Sequence, residues 1–182
     1  MKYLISLALL TVVTNSAIAQ KFITRTGQIN FVSQAPIETI TAVNKSTACV
    51  LDAKSGSIDV VTQIKSFVFE KQLMQEHFNE NYMESDKFPK ASFKGKITNL
   101  QDINFNKDGN YDAQVDGQLS IHGITKDVKE AGKVTISNGK ASIKTSFSVL
   151  LADYKINIPA AVKDKVAKEV KINLTANLDE AK

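Results

Sequence analysis

Apolar and polar residues alternate at period two along most of this chain, and that rhythm constrains it to half-buried β-strands with one apolar face each. Ile58, Val60, Thr62 and Ile64 follow the turn residues Ser55-Gly56-Ser57. Ala91, Phe93, Gly95 and Ile97 alternate with Ser92, Lys94 and Lys96. Tyr111, Ala113, Val115, Gly117, Leu119 and Ile121 interleave with Asp112, Gln114, Asp116, Gln118, Ser120 and His122. Ile29 and Phe31, then Ala141 to Val149, then Val170 to Leu178 repeat the pattern. Asn138-Gly139 between two such runs is a hairpin signal, since both residues tolerate the positive φ of a type I′ turn. Roughly seven or eight strands at hairpin spacing imply an antiparallel all-β fold, either a two-sheet sandwich or a closed barrel.

Two segments break the rhythm. Phe69 to Tyr82 carries Leu73, Met74, His77, Phe78 and Asn81 as a helical stripe, and Pro89 ends the excursion. Ala160 to Val170 also predicts a helix, begun after Pro159, with Val162, Val166 and Val170 on one face. Short helices closing the ends suit a barrel better than a flat sandwich.

The N-terminus has the three parts of an export signal. Lys2 is the positive region, Leu4 to Val13 the apolar one, and Ala17-Ile18-Ala19 the small-residue cleavage site. The apolar run is too short to span a bilayer comfortably. The expected organisation is a signal peptide over residues 1–19 and one barrel domain over residues 20–182, outside the cytoplasm. Cys49 is the only cysteine, so no intramolecular disulfide forms, and it reads as a small apolar strand residue. The formal net charge of +4 is dispersed, without a basic run, and no nucleic-acid partner is expected.

Catalytic patterns are absent: the chain has no G-x-S-x-G elbow, no P-loop and no H-E-x-x-H. His77 with Glu76 and Glu80 is at most half a metal site, and zinc needs three or four ligands. His122 falls in phase with the polar face of its strand and is expected to be exposed or to anchor a turn. No cofactor and no metal are expected. Asn44-Lys45-Ser46 and Asn173-Leu174-Thr175 match a glycosylation acceptor pattern of low specificity. The remaining signal is apolar: nine phenylalanines and no tryptophan, with Phe67, Phe69, Met74, Phe78, Met83 and Phe88 gathered between two strands. They read either as ordinary core or as the mouth and lining of a cavity, because an eight-stranded barrel can fill with side chains or hold one ligand.

Two stretches carry a family resemblance. Glu76-His77-Phe78, Tyr82-Met83 and Phe88-Pro89-Lys90-Ala91-Ser92-Phe93 together resemble the central motif of the YceI-like proteins. Gly117 to Val128, a strand, a tight turn and the next strand, is similar to their second signature. The resemblance covers about Ser57 to Asp179. It implies a lipocalin-like, eight-stranded antiparallel barrel, periplasmic, with a long polyisoprenoid chain in its lumen and a non-catalytic binding or carrying role. Members commonly bear a His-Ser pair before a Phe on the first strands. Here that region reads Thr26-Gly27-Gln28-Ile29-Asn30-Phe31, without a histidine.

The residues expected to face an apolar lumen are Phe31, Ile58, Val60, Ile64, Phe93, Val115, Leu119, Ile143 and Phe147 on the strands. Phe67, Phe69, Met74 and Phe78 are expected to cover one end. The partner expected is a polyisoprenoid, quinone or other long-chain lipid, with transient contact to a membrane or membrane protein, the protein being monomer or dimer. The competing reading is a structural or adhesion module with a filled core.

Overall fold

The computed structural model describes residues 20–181. The signal peptide expected over residues 1–19 lies outside the described residues. Nine strands form along the described chain: β1 Lys21–Gln34, β2 Thr39–Asp52, β3 Ser57–Gln63, β4 Val68–Phe69, β5 Lys90–Ile97, β6 Gly109–Ile121, β7 Ile124–Ser137, β8 Lys140–Leu150 and β9 Glu169–Glu180. All pairings are antiparallel in the order β1-β9-β8-β7-β6-β5-β3-β2, and β2 pairs back onto β1. The ring is therefore a closed eight-stranded barrel. The two-residue β4 is an addition to β2, which pairs with β3 through Ala48–Leu51 and with β4 through Ala42–Val43. Closure gives each of the eight barrel strands a partner on both sides, although β7 and β8 pair over only part of their length, and so limits the sheet edges that invite aggregation.

Two long strands, β2 and β7, and most of β1 are missing from the period-two reading, because their phase is broken or masked. In β1 the register shifts between Thr24 and Gly27. In β2 the buried Asn44 and Thr47 are three residues apart, so a bulge resets which residues face inward. Their polar groups are satisfied: Asn44 Nδ2 donates to the Gln63 carbonyl at 2.9 Å, and Thr47 Oγ1 donates to Thr62 Oγ1 at 3.1 Å. Asn44 is fully buried, which removes it as a glycosylation acceptor. In β7, Lys126 and Glu130 share the phase of Ile124, Val128, Val134 and Ile136, so two charges interrupt the apolar face.

The connections sort to two ends. The β2–β3 turn, the 98–108 segment and the Asn138-Gly139 hairpin lie at one end. There Ile103 and Phe105 pack with Phe22, Leu51, Val134 and Leu178, and Phe22 and Phe105 stack with centroids 5.9 Å apart. That end is filled. At the other end lie the β1–β2 hairpin, the 64–89 excursion, the β6–β7 turn and the 151–168 connection.

The helical expectations hold in part. The first excursion forms one short helix, α1 (Gln72–His77), continued by a π-turn over Phe78–Tyr82. It starts late because Val68 and Phe69 are drawn into pairing with β2. The helix expected over Ala160 to Val170 is a correction. Only Ala160–Val162 winds, as a 3-10 turn, and Val170 lies on β9 paired with Val149. Local turn bonds run only as far as Val166, and the segment also bonds outward: Ile37 N–H donates to the Asp164 carbonyl at 3.2 Å, and Ala167 N–H donates to Ser33 Oγ at 2.9 Å. These bonds lash the connection to the β1–β2 hairpin. Among the described residues no helix is long and apolar enough to cross a membrane.

Candidate functional site

Above the filled end the barrel is hollow. A cavity of about 530 Å³ occupies the lumen, within the range of small-molecule sites, and its lining is almost wholly apolar. Strand geometry explains this directly, since alternate side chains of every strand point to one interior. Phe31, Ile58, Val60, Ile64, Phe93, Val115, Leu119, Ile143 and Phe147 all line the cavity, and so do Phe67, Phe69, Met74 and Phe78. The excursion between β3 and β5 thus forms one wall and the cover. Phe31 from β1 meets Phe67, Phe69 and Phe78 with ring centroids 5.6, 5.6 and 5.5 Å apart. Phe69 and Phe78 approach to 5.0 Å. Such offset and edge-on pairs fix ring positions and present an aromatic wall. The ring of Phe93 lies across the facing glycines of β5 and β6: a Cβ at Gly95 would stand 2.4 Å from it.

The period-two reading misses the cavity residues that β7 and the 151–168 connection supply, among them Val128, Glu130, Ile156 and Val166. Glu130 was legible only as a charge in phase with apolar neighbours.

The mouth lies between the start of α1, the β1–β2 hairpin and the 160–168 segment. Glu38, Lys71, Leu73, His77, Val162 and Lys165 rim it. Lys71 pairs with Glu38 at 3.5 Å. Leu73 and Ile37, large apolar side chains, are exposed there at 60% and 67%.

The wall is incompletely laddered on one side. β7 and β8 pair only from Gly132↔Thr145 to Ser137↔Lys140. Above Gly132, β7 stays with β6 and β8 stays with β9, so the two strands diverge and leave a seam. Val128, Glu130, Phe147 and Val149 border both the lumen and a shallow pocket outside the seam. Glu130 opposes Val115 on β6, an inward position. Burial raises its carboxyl above the usual carboxylate range. The Tyr154 phenol beside it is also pushed up, first by burial and then by the charges of Asp153 and Glu130.

His122 is the turn anchor and is not exposed. Its side chain retains 9% of its accessible surface. Nδ1 donates to the Tyr154 carbonyl at 3.0 Å, Nε2 lies 2.8 Å from Glu84 Oε2, and the ring meets Phe88 edge-on at 4.7 Å. The two sequence signatures therefore meet in space: Glu84 and Phe88 clasp the β6–β7 turn. Among the described residues no three His, Cys, Asp or Glu side chains gather as metal ligands, and His77 sits alone at the mouth.

The comparisons agree with this geometry. A model of the YceI-like domain matches residues 16–178. No curated protein is significantly similar to the chain in sequence. Among solved structures, a polyisoprenoid binding domain from Saccharophagus degradans implicated in plant cell wall breakdown aligns with a TM-score of 0.77 at 12% identity, covering 90% of this chain and 99% of that one. BcnA of Burkholderia cenocepacia aligns at 0.67 and 16% identity, covering 84% and 95%. The YceI protein of Campylobacter jejuni aligns at 0.53 and 20% identity, covering 76% and 83%. At these identities the likeness is one of fold.

Proposed function

Because the chain belongs to the YceI-like family, we propose that its barrel binds, carries or sequesters a long apolar ligand, a polyisoprenoid, quinone or similar lipid, without catalysis. The observation that carries this reading is the apolar cavity of about 530 Å³ inside a closed barrel. Each buried methylene is worth ~0.8 kcal/mol, so eight of them offer roughly 6 kcal/mol before the costs of association. Affinity by area discriminates weakly among chain types, which suits a carrier. The description of one structural neighbour as a polyisoprenoid binding domain supports the same ligand class. Cleavage after Ala19 and export to the periplasm complete the reading. The exposed Ile37 and Leu73 beside Lys71 and Lys165 suit a passing contact with a membrane, where such ligands reside.

Native mass spectrometry of purified protein, followed by organic extraction, tests it. A long-chain lipid is expected in the wild type. Val60→Trp puts an indole into the lumen and should fold normally while losing that lipid. Lipid-free wild type, together with a Val60→Trp protein destabilised by ~1–3 kcal/mol through overpacking, would favour the filled-core scaffold instead.

A further inference from the structure

An acid lines the apolar lumen away from its mouth. Glu130 faces inward from β7 between Val128 and Gly132, with Val115 across the β6 ladder. Among the described residues no side chain pairs or hydrogen-bonds with its carboxyl. The other charged groups lining the cavity differ from it. Glu38 and Lys71 hold each other at the mouth, Lys133 reaches outward to Asp112 at 2.7 Å, and Lys165 is exposed at the rim. Glu130 is half-buried, so its carboxyl is partly withdrawn from water, and a ligand that donates a hydrogen bond to it makes up for the hydration it has lost.

The split between β7 and β8 begins one residue beyond Glu130. The last ladder pair is Gly132↔Thr145, and the Thr145 hydroxyl donates to the Ala131 carbonyl at 2.7 Å, closing the seam at its vertex. Continuing that register would set Glu130 against Phe147, but the strands have already parted. Lumen, carboxyl and outside pocket therefore meet at one point in the wall. A polar head placed there keeps access to water while its chain lies along the cavity. A negatively charged head meets a like charge instead.

We infer that Glu130, at the β7–β8 seam, is the head-group site of the lumen and selects lipids whose head donates a hydrogen bond and carries no negative charge, such as a long-chain alcohol or amine. This rests on reading the lumen as a lipid site. Burial of the Glu130 carboxyl sharpens the preference, since a donor is what an isolated carboxyl lacks.

The test uses dodecanol, dodecylamine and dodecanoate as competitors against a pyrene-labelled alkane, a reporter that has no head group. Wild type should bind dodecylamine at least about tenfold more tightly than dodecanoate, with dodecanol between them. Glu130→Gln should bring amine and carboxylate within about twofold of each other, and Glu130→Lys should reverse their order. Continued binding of the reporter shows that each variant is folded. Reporter binding with the same head preference in wild type and Glu130→Gln overturns the head-group site and leaves the lumen reading standing. A wild-type preference for dodecanoate also overturns it, placing the head at the Lys71 and Lys165 mouth. Failure of the reporter to bind wild type overturns the lumen reading and this inference together.

Discussion

Cys49 shows how strongly position decides the chemistry of a single side chain. It lies on β2 paired with Val60, fully buried in the filled half of the barrel. Burial, and then the charge of Asp59, pushes its thiol up to about 12 from an ordinary 9.0. The thiolate is the reactive form, so the native thiol should be inert. Iodoacetamide at pH 8 should label Cys49 only after denaturant is added. The same shift couples to stability. The unfolded thiol ionises near pH 9, whereas the folded one keeps its proton until about 12. The contribution is intact below pH 9 and lost as pH rises toward 12. Urea unfolding at pH 8 and 10.5 should show about 2 kcal/mol of loss from this group, and Cys49→Ala should lack that part of the slope. An equal slope in both proteins would refute it.

Among the elements, the two type I′ hairpins form a natural contrast. His122 and Gly123 have φ of 51° and 74°, and Asn138 and Gly139 have 51° and 74°, the left-handed pair such turns require. The surroundings differ. A Cβ at Gly139 meets nothing within 4 Å, whereas one at Gly123 stands 2.4 Å from the Phe88 ring. Gly139→Ala should therefore cost only the backbone strain, about 1 kcal/mol. Gly123→Ala should cost 1 kcal/mol or more beyond that, because Phe88 must leave the turn and its edge-on contact with His122. Chemical denaturation of the two variants measures the difference, and equal costs would mean that the clasp contributes nothing. The Asn138-Gly139 hairpin was legible from two residue types. The clasp was not, since it joins Glu84 and Phe88 to a turn more than thirty residues away.

At the scale of the whole molecule, the barrel has one filled end, one covered end and an apolar rim beside the mouth. Ile37 on the β1–β2 hairpin and Leu73 on α1 lie on either side of the Glu38–Lys71 pair, and Lys163, Lys165 and Lys168 are exposed on the neighbouring connection. Near an anionic surface each lysine is worth ~1 kcal/mol, and the apolar pair adds burial in the headgroup layer. Sedimentation with vesicles containing phosphatidylglycerol should capture the protein at low salt and release it at high salt. Ile37→Ser with Leu73→Ser should lower capture several-fold without changing the melting temperature. Capture indifferent to both salt and these substitutions would remove the mouth as the membrane-facing surface.

Side-chain direction along a strand is dictated by covalent geometry, so alternation together with the hairpin-scale turn signals determined the antiparallel all-β class and the apolar face of the strands it detected. It also selected nine strand residues that the fold brings around one cavity, while the apolar cluster that breaks the alternation supplied Phe67, Phe69, Met74 and Phe78. The resemblance to the YceI-like proteins added ring closure and strand number. Tertiary structure decided what periodicity cannot carry. Bulges in β1 and β2 shifted their phase and concealed them. Hydrogen bonds to Ser33 and from Ile37 turned the expected helix after Pro159 into a strap. Whether side chains leave a cavity in the lumen depended on which loops reach into it: Ile103 and Phe105 fill one end, while the Phe67 to Phe78 segment covers the other without filling it. The seam at Glu130 exists because β7 follows β6 and β8 follows β9 once their own ladder ends, a matter of register between whole strands that no single residue encodes.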